Sequence, residues 1–415
     1  MTTLTPTLLQ KREVLRTLFK QGIKPADNRR PIPEDLAQDM VQQLIDLGIS
    51  KNDCIGVIDT FLTLTLTLQE HGFTNIVVLE NVHKDLTSLQ QKYYNTIKGA
   101  CEKIGVTYYV PPINNYNRCN MKFDVIIGNP PYQSDNGSGD KRGSATNPLW
   151  WQITKRSVSL LKENGILSFI TPTNILSGGD IFTSYVFGED RKIDLRKVDF
   201  TVGDKFKGIG TQICRWVAHN SVTEGNVVSV NDGRELLTND VIKLSDNVML
   251  DSILMTLFYS NVDKFNFNSK DQYHVNNVER YLKKNGMPVE WAKDLKETQD
   301  DVYKYPINMN GKIKYTQVKW KCKGDWKVFY PQLQVPAQIT IANDVEASPA
   351  TLTMICDSEQ DAITVQRNLS SPEYRWIVNS TRQGGRVTWI LSHFPNAPIE
   401  EVLNPEQLSY IQSQL

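Results

Sequence analysis

The sequence lacks the long apolar runs that would place the protein in or across a membrane. No stretch of its 415 residues approaches the ~18 uninterrupted apolar residues that a membrane-spanning helix needs. Residues 1–20 also lack the basic segment and continuous apolar stretch of a secretory signal. We therefore expect a cytoplasmic protein with no membrane role.

Signals for metal binding and for a net charge are also missing. The six cysteines are far apart, with no Cys-x-x-Cys pair and no nearby histidine pair to complete a metal site. Lysine plus arginine equal aspartate plus glutamate, at 46 each. We therefore expect no metal and reduced thiols, and any surface for a polyanion must be a local patch.

The chain is too long for one compact core of ordinary size, and its pattern changes twice. Residues 1–50 carry helical spacing behind two prolines, which predicts a helical segment that packs on the next domain. Residues 51–225 alternate short apolar runs with amphipathic stretches, whereas residues 226–415 are mixed and show no repeat. The boundary is expected within Ser221–Gly233, a polar stretch with two glycines.

Seven apolar runs in the second segment predict a doubly wound, Rossmann-like α/β sheet with helices on both faces. The runs are Ile55–Asp59, Ile76–Glu80, Val106–Val110, Phe123–Gly128, Ile166–Thr171, Lys197–Val202 and Ile213–His219. Helices are expected at Leu86–Ile104 and Leu149–Lys162. A short connection with glycines joins the last two runs, which predicts an antiparallel pair at one edge of the sheet.

The fourth run ends abruptly in the turn Asn129-Pro130-Pro131-Tyr132. Ligands of open α/β sheets bind at such carboxyl ends of strands. The Asn129 side-chain oxygen and the Pro130 carbonyl can each accept one hydrogen of an amino group on a heteroaromatic ring, which directs its lone pair outward. The prolines stiffen the turn, and Tyr132 offers a face on which a planar base stacks. An ordinary turn is the alternative, since Asn and Pro are common in turns.

This strand and turn resemble the catalytic motif of amino-methyltransferases that modify adenine N6. Cytosine N4 relatives usually have Ser in the first position, so Asn129 favours adenine. The surroundings extend the likeness to the gamma-class DNA methyltransferases of restriction-modification systems. The resemblance implies a seven-stranded methyltransferase sheet, S-adenosylmethionine as cofactor, and double-stranded DNA from which the target base is flipped. It implies catalytic roles for Asn129, Pro130, Pro131 and Tyr132.

Several residues resemble the family's cofactor site. Pro31–Leu36 is similar to the motif that flanks the cofactor, and Glu80 ends the second strand where the family has an acidic residue for the ribose hydroxyls. A solvated strand end is the alternative for Glu80. The cofactor-binding residues that the resemblance implies are Pro33, Asp59, Phe61, Glu80 and Asn129.

The base pocket is matched by two further segments. Ile166–Pro172 and Asn174 resemble the strand that closes the adenosine pocket in the family. Phe206 resembles the aromatic residue that sandwiches the flipped base against Tyr132. Core packing is the alternative for Phe206, because phenylalanine is often buried.

One segment departs from the family pattern. Thr63 and Thr65 stand where the family has the glycines that let the backbone approach the cofactor, and a positive φ would be costly at either threonine. Three explanations are open: another route of the loop to the cofactor, weak binding until DNA or a partner arrives, or loss of catalysis with retention of the fold.

Basic residues in three places predict contacts with DNA. In the segment 319–323, strand alternation would place three lysines on one face and Trp320 inward. A solvated basic edge strand is the alternative there, and capping of a helix or loop is the alternative for single arginines. The predicted DNA-binding residues are Lys141, Arg142, Lys319, Lys321, Lys323, Arg382 and Arg386.

The last third of the chain has a looser resemblance. Asp357–Leu369 and Tyr374–Asn379 are similar to the closing part of target-recognition domains in restriction-associated adenine methyltransferases. We therefore expect a C-terminal mixed α+β target-recognition domain that grips a duplex while one base is turned out. The Asp…Glu-x-Lys spacing of a fused nuclease is missing, so cleavage would come from a separate restriction nuclease or partner subunit.

Together these features predict a site-specific DNA adenine-N6 methyltransferase. One alternative is a protein of this fold that binds DNA or a partner without catalysis. Another is an N-methyltransferase for RNA or protein, since release-factor glutamine methyltransferases and some RNA methyltransferases share Asn-Pro-Pro-Tyr. Those relatives usually place the recognition region before the catalytic domain, so the long segment after the motif favours DNA. The recognition sequence, oligomeric state and biological role stay open.

Overall fold

The computed structural model describes most of the chain in two compact units, residues 1–246 and 247–415. The described residues are 13, 31–59, 61–80, 88–110, 121–132, 148–177, 180–206, 212–241, 243–268, 272–320, 325–332, 337–381 and 391–415.

Nine strands among the described residues of the first unit form one sheet. They are β1 (Ile55–Ile58), β2 (Ile76–Leu79), β3 (Thr107–Tyr109), β4 (Phe123–Gly128), β5 (Leu161–Pro172), β6 (Asp194–Asp199), β7 (Ile213–His219), β8 (Val227–Val230) and β9 (Glu235–Leu237). Their order is β3-β2-β1-β4-β5-β7-β6-β8-β9. The first five strands in this order are parallel, and β7 lies antiparallel between β5 and β6.

Helices cover both faces of this sheet, as the sequence predicts. On one side are α1 (Glu34–Asp46), α2 (Thr63–Glu70) and α3 (Ser88–Ile104); on the other are α4 (Leu149–Leu160), α5 (Asn174–Ser177) and α6 (Asp180–Thr183). Alternate strand residues point to opposite faces, so Val125 and Ile127 of β4 join the first apolar cluster and Ile126 joins the second. Both faces are buried, which explains why β1 and β2 are continuous apolar runs.

Two expectations about the far side of the sheet are wrong. The pair β6 and β7 is antiparallel, but β8 and β9 extend the sheet beyond β6, so this pair does not lie at the edge and the count is nine rather than seven. The run predicted at Lys197–Val202 begins earlier, at Asp194, and is followed by the 3-10 helix Thr201–Lys205.

A buried ion pair holds the expected linker inside the first unit. Arg191 Nε donates to Asp194 Oδ1 at 2.9 Å, and the two side chains are only 2% and 0% exposed. The other Asp194 oxygen accepts from the Thr223 backbone N–H at 2.8 Å and from the Thr223 hydroxyl at 2.6 Å. Arg191 also donates to the Thr223 carbonyl. These contacts, with β8 and β9, move the boundary from the predicted residue 225 to residue 246.

The second unit combines helices with two smaller sheets. Its strands are β10 (Phe267–Asn268), β11 (Tyr305–Met309), β12 (Lys312–Thr316), β13 (Trp326–Pro331), β14 (Thr340–Asn343), β15 (Glu346–Ala347) and β16 (Thr351–Cys356). One sheet has the order β10-β16-β13-β14 and the other β12-β11-β15. The helices are α7 (Val248–Tyr259), α8 (Val275–Lys284), α9 (Glu359–Ser370), α10 (Pro372–Thr381) and α11 (Pro405–Gln414), with 3-10 turns at Val289–Ala292 and Ile399–Glu401.

The boundary can be tested by truncation. A fragment of residues 1–246 should unfold cooperatively, whereas a fragment of residues 1–225 loses β8, whose Val228 and Val230 are 0% and 5% exposed. Burial of two valines stabilises by about 3 kcal/mol or more, so the shorter fragment should be less stable by at least that amount. Urea unfolding followed by circular dichroism measures the difference. Equal stability of the two fragments would place the boundary back at residue 225.

Candidate functional site

The Asn-Pro-Pro-Tyr corner is fixed against the end of the neighbouring strand. Gly128, the last residue of β4, is paired with Ile58, the last residue of β1. The Asn129 backbone N–H donates to the Ile58 carbonyl at 3.0 Å. A Cβ at position 128 would lie 2.3 Å from the same carbonyl oxygen, and φ there is +157°. Only glycine allows this approach, so β1 determines where the corner begins.

The corner residues are mostly buried. Asn129 is 7% exposed, both prolines are buried, and Tyr132 is partly buried. Residues 133–147, which follow the corner and contain Lys141 and Arg142, lie outside the described residues. Asn129 therefore presents little of its surface to solvent.

Tyr132 lies between the apolar clusters on the two faces of the sheet and packs against both. Its hydroxyl is buried and has no hydrogen-bonding partner within the described part of the chain. Burial, together with the neighbouring Cys214, raises the pKa of this hydroxyl far above its ordinary value. The Tyr132 side chain thus packs here as an apolar ring.

Phe206 belongs to the same apolar cluster as Tyr132. It follows the 3-10 helix Thr201–Lys205, is 8% exposed, and its N–H donates to the Gly203 carbonyl at 3.1 Å. The two aromatic residues predicted to sandwich a base thus both belong to the packing of this one cluster. In this arrangement Phe206 contributes to the core, so the packing alternative is also realised.

Lys205 connects this aromatic segment to α1. Its ammonium lies 2.6 Å from Asp35 Oδ2 and 3.4 Å from Asp39 Oδ2, and the first contact lowers the pKa of Asp35. Pro33 precedes α1, and its carbonyl accepts from the Ala37 N–H at 2.9 Å. The predicted cofactor-flanking motif and the predicted base-stacking residue are thus linked by an exposed ion-pair group.

Asp59, at the end of β1, caps the start of α2. One carboxylate oxygen accepts from the Phe61 N–H at 3.3 Å, and the other accepts from the Thr65 N–H at 3.0 Å and the Thr65 hydroxyl at 3.4 Å. The residue before the helix, Leu62, cannot cap it with its own side chain. Asp59 is 3% exposed, and this burial raises the pKa of its carboxyl while the backbone donors lower it. Both oxygens of Asp59 are therefore engaged within the protein.

The glycine positions of the family fall inside a helix in this chain. Thr63 and Thr65 belong to α2, and Thr65 is fully buried. Neither has a positive φ; the left-handed residue is Leu62, with φ of +57° and a fully buried side chain. The prediction of a strained backbone at the threonines is therefore wrong. The left-handed residue lies one position earlier, at Leu62, and the helix begins at Thr63. A left-handed non-glycine residue costs about 1 kcal/mol or more, which burial of the leucine offsets.

Glu80 is a second buried carboxylate, and like Asp59 it lies at the carboxyl end of a parallel strand. It follows β2, is 2% exposed, and its N–H donates to the Tyr109 carbonyl at 3.1 Å. Burial, followed by the charges of Glu80 and Asp59, raises the pKa of Cys101 to about 12. The charges of both carboxylates are therefore close enough to disfavour ionisation of the Cys101 thiol. The solvated alternative for Glu80 is wrong, and Cys101 stays a neutral thiol near pH 7.

The predicted DNA-binding residues are only partly described. Lys319 is exposed, but it lies beyond β12, which ends at Thr316, so the strand prediction is wrong for Lys319 and Trp320. Trp320 does face inward, with ring centroids 6.3 Å from Tyr273 and 5.6 Å from Tyr281. The other predicted residues, namely Lys141, Arg142, Lys321, Lys323, Arg382 and Arg386, lie outside the described residues.

Sequence reasoning missed three positions that shape the site. Gly128 does carry a signal, because a glycine directly before Asn-Pro-Pro-Tyr indicates a close backbone approach. Leu62 carries none, because leucine rarely adopts a left-handed conformation. Lys205 carries none either, because its partners lie 170 and 166 positions away in the sequence.

Among the described residues, every helix is too short or too polar to span a bilayer. No group of three or more His, Cys, Asp or Glu side chains there is placed to hold a metal ion.

Comparison with known proteins agrees with the geometry at the corner. The sequence profile of the family described as Eco57I restriction-modification methylase matches residues 52–204. This part of the chain is therefore similar to restriction-modification methylases. The match includes the whole Asn129–Tyr132 corner, Asp59 and Glu80. The family resemblance predicted from the sequence is confirmed.

Individual relatives are more distant. An uncharacterized adenine-specific methylase of Mycoplasma pneumoniae is 28% identical over 203 residues, which cover 46% of this chain and 45% of that protein. The chain thus spans about half the length of this curated relative.

Two solved structures resemble this chain only distantly. The type I methyltransferase subunit from Streptococcus thermophilus has 15% identity and a TM-score of 0.36, covering 52% of this chain and 50% of that chain. The type IIG restriction endonuclease BpuSI has 11% identity and a TM-score of 0.41, covering 97% of this chain and 63% of that chain. Likeness at this level supports no conclusion about activity.

The glycine at the start of the corner gives a first test at the site. Gly128→Ala forces a Cβ against the Ile58 carbonyl, so we expect a loss of about 2 to 4 kcal/mol in the free energy of unfolding. Gly99→Ala is the matched control, because a Cβ there meets nothing within 4 Å and the residue lies inside α3. That control should be neutral or slightly stabilising. Similar unfolding curves for the two variants would contradict the close approach.

The Tyr132 hydroxyl gives a second test. Tyr132→Phe removes a buried hydroxyl without a partner, so the free energy of unfolding should stay the same or rise by up to about 1 kcal/mol. Tyr374→Phe is the comparison, because the Tyr374 hydroxyl donates to the Pro395 carbonyl at 2.6 Å and its loss should destabilise by about 1 kcal/mol. Thermal unfolding measures both. A marked destabilisation by Tyr132→Phe would mean that the hydroxyl has a partner.

Proposed function

We propose that this protein is a DNA methyltransferase that transfers a methyl group from S-adenosylmethionine to N6 of adenine. The observation that carries the proposal is the Asn129–Tyr132 corner, held at the carboxyl end of β4 by the hydrogen bond from the Asn129 N–H to the Ile58 carbonyl at 3.0 Å. The match of residues 52–204 to a restriction-modification methylase family supports it.

The corner suits an exocyclic amine because it presents acceptors. An amino group on a purine is a weak nucleophile, since its lone pair is delocalised into the ring. The Asn129 side-chain oxygen and the Pro130 carbonyl each accept one N–H, which localises the lone pair and directs it away from both acceptors. The ring of Pro130 locks its φ, and the following Pro131 restricts the ψ that orients the Pro130 carbonyl, so little reorganisation is needed. One proton of the amine leaves to solvent after transfer.

The residues at the ends of β1 and β2 fit the cofactor in part. Glu80 is a buried carboxylate of the kind that accepts hydrogen bonds from a ribose diol, and Phe61, which follows β1, is partly exposed. When bound, S-adenosylmethionine supplies an electrophilic methyl group on a sulfonium. Asp59 contributes differently, because its oxygens accept from the Phe61 and Thr65 backbone. We propose that Asp59 shapes the pocket wall and that Glu80, Phe61, Pro33 and Asn129 contact the cofactor.

Double-stranded DNA is the proposed acceptor, and residues 247–415 are the proposed target-recognition domain. A paired adenine is inaccessible to the corner until it leaves the stack. Tyr132 and Phe206 supply aromatic faces for the extruded base, once they separate from their present packing. Lys319 is exposed and available for phosphate contacts. A separate nuclease or partner subunit would perform any cleavage.

The proposed catalytic role of Asn129 is tested by Asn129→Ala. Loss of one acceptor for the amine should lower methyl transfer at least ~100-fold, by analogy with the removal of one oriented hydrogen-bonding group from an active site. DNA binding and the unfolding midpoint should change little. Methylation is measured by sequencing that detects N6-methyladenine in DNA incubated with each protein. Comparable turnover by the variant would reject the role, and RNA and protein acceptors in parallel reactions would reveal another substrate.

A second candidate is a protein of this fold that does not bind the cofactor unaided. The observation in its favour is that the donors at the start of α2 are taken by Asp59 rather than by a ligand. Calorimetric titration with S-adenosylmethionine, with and without duplex DNA, distinguishes the two. Binding under either condition supports the enzyme, whereas no binding under both supports the second candidate.

A further inference from the structure

We propose that Asp59 and Thr65 form a positioning pair that fixes the Asn129 corner through the end of β1. The inference deepens the proposed function, since it assigns to that site two residues that act without touching the base. It rests on two sets of hydrogen bonds among described residues, which the peptide bond between Ile58 and Asp59 connects.

The first set of hydrogen bonds holds the Asp59 side chain. The Thr65 N–H and hydroxyl donate to one carboxylate oxygen at 3.0 and 3.4 Å, and the Phe61 N–H donates to the other at 3.3 Å. The Leu62 N–H donates to the Asp59 carbonyl at 3.4 Å. Asp59 and Thr65 are 3% and 0% exposed, so water does not compete for these contacts. Side chain and main chain of Asp59 are thus both attached to the turn before α2.

The second set leads from the peptide before Asp59 to the corner. Asp59 directly follows Ile58, so the peptide that contains the Ile58 carbonyl also contains the Asp59 nitrogen. That carbonyl accepts the Asn129 N–H at 3.0 Å, and its oxygen lies 2.3 Å from where a Cβ at position 128 would be. Rotation of this peptide would move the Asn129 donor with it. The orientation of Asn129 therefore depends on how firmly Asp59 is held.

The pair also accounts for the threonine at position 65. A glycine at this position would keep the backbone donor but would lack the hydroxyl that donates to Asp59. The capping function that Leu62 cannot supply is taken by Asp59, three residues before it. The Thr65 side chain therefore contributes to a different way of building the turn between β1 and α2, one that relies on a buried carboxylate.

The decisive readout is hydrogen exchange of the Asn129 amide in protein without cofactor, which requires no activity. Asp59→Asn keeps the volume of the side chain but replaces one acceptor oxygen by a donor amide, and should accelerate exchange in the peptide Phe123–Tyr132 tenfold or more. Thr65→Val removes only the 3.4 Å contact and should accelerate it about threefold. Thr65→Ser retains the hydroxyl and should restore the wild-type rate.

Thr67→Val is the matched control. Thr67 lies in the same helix, is 1% exposed, and its hydroxyl donates to the Thr63 carbonyl at 2.9 Å without contacting Asp59. It should leave Asn129 exchange within twofold of the wild type. Equal acceleration by Thr65→Val and Thr67→Val, or unchanged exchange in both Asp59→Asn and Thr65→Val, would overturn the proposal.

Activity gives an independent second readout. If the wild type methylates DNA, Thr65→Val should lower kcat with little change in KM for S-adenosylmethionine, because the acceptor group is misplaced while the cofactor contacts persist. A rise in KM alone, with unchanged Asn129 exchange, would instead make Asp59 and Thr65 cofactor contacts and reject the positioning role. If the wild type is inactive, the proposed function fails, while the exchange experiment still decides this inference.

Discussion

The hydrogen bond between the Asn129 N–H and the Ile58 carbonyl, made possible by a glycine at position 128, governs the arrangement of the candidate site. Through this bond, the end of β1 determines the position of the turn that follows the neighbouring strand β4. Strand pairing in the middle of a buried sheet is rigid, because both faces are packed and every residue of β1 is buried. Whatever the corner does chemically, its geometry is inherited from the core.

The turn after β1 shows how a fold can keep a site while changing its local chemistry. A glycine-rich loop leaves backbone donors open to a ligand, whereas here a carboxylate from the same strand accepts them. This arrangement buries the acid Asp59 and places Leu62 in a left-handed conformation, both of which are unfavourable. In return, the short helix α2 has a defined start. A ligand at this end of the sheet would find the Phe61 and Thr65 N–H groups already hydrogen-bonded to Asp59. Recognition would then depend more on Glu80 and the aromatic residues than on the backbone.

The strands next to the corner could be predicted because buried parallel strands are short continuous apolar runs, and five of the seven runs appear within one residue of their predicted bounds. The sequence did not reveal β8 and β9, because Val227–Val230 is brief and lies in a polar stretch that resembles a linker. The corner was evident from its residue types. Its attachment to Ile58, the capping by Asp59 and the Lys205 contacts depend on tertiary proximity, which a single sequence does not encode locally.

The carboxylate of Asp194 has a practical consequence for handling this protein. By composition, the stretch around Thr223 is a natural place to insert a reporter domain or a protease site, because polar segments with glycine usually tolerate insertion. Here an insertion would separate Thr223 from a fully buried acid and leave Arg191 with one fewer partner. Such a fusion would destabilise the interior of the first unit, because Thr223 belongs to that unit and is not part of a linker.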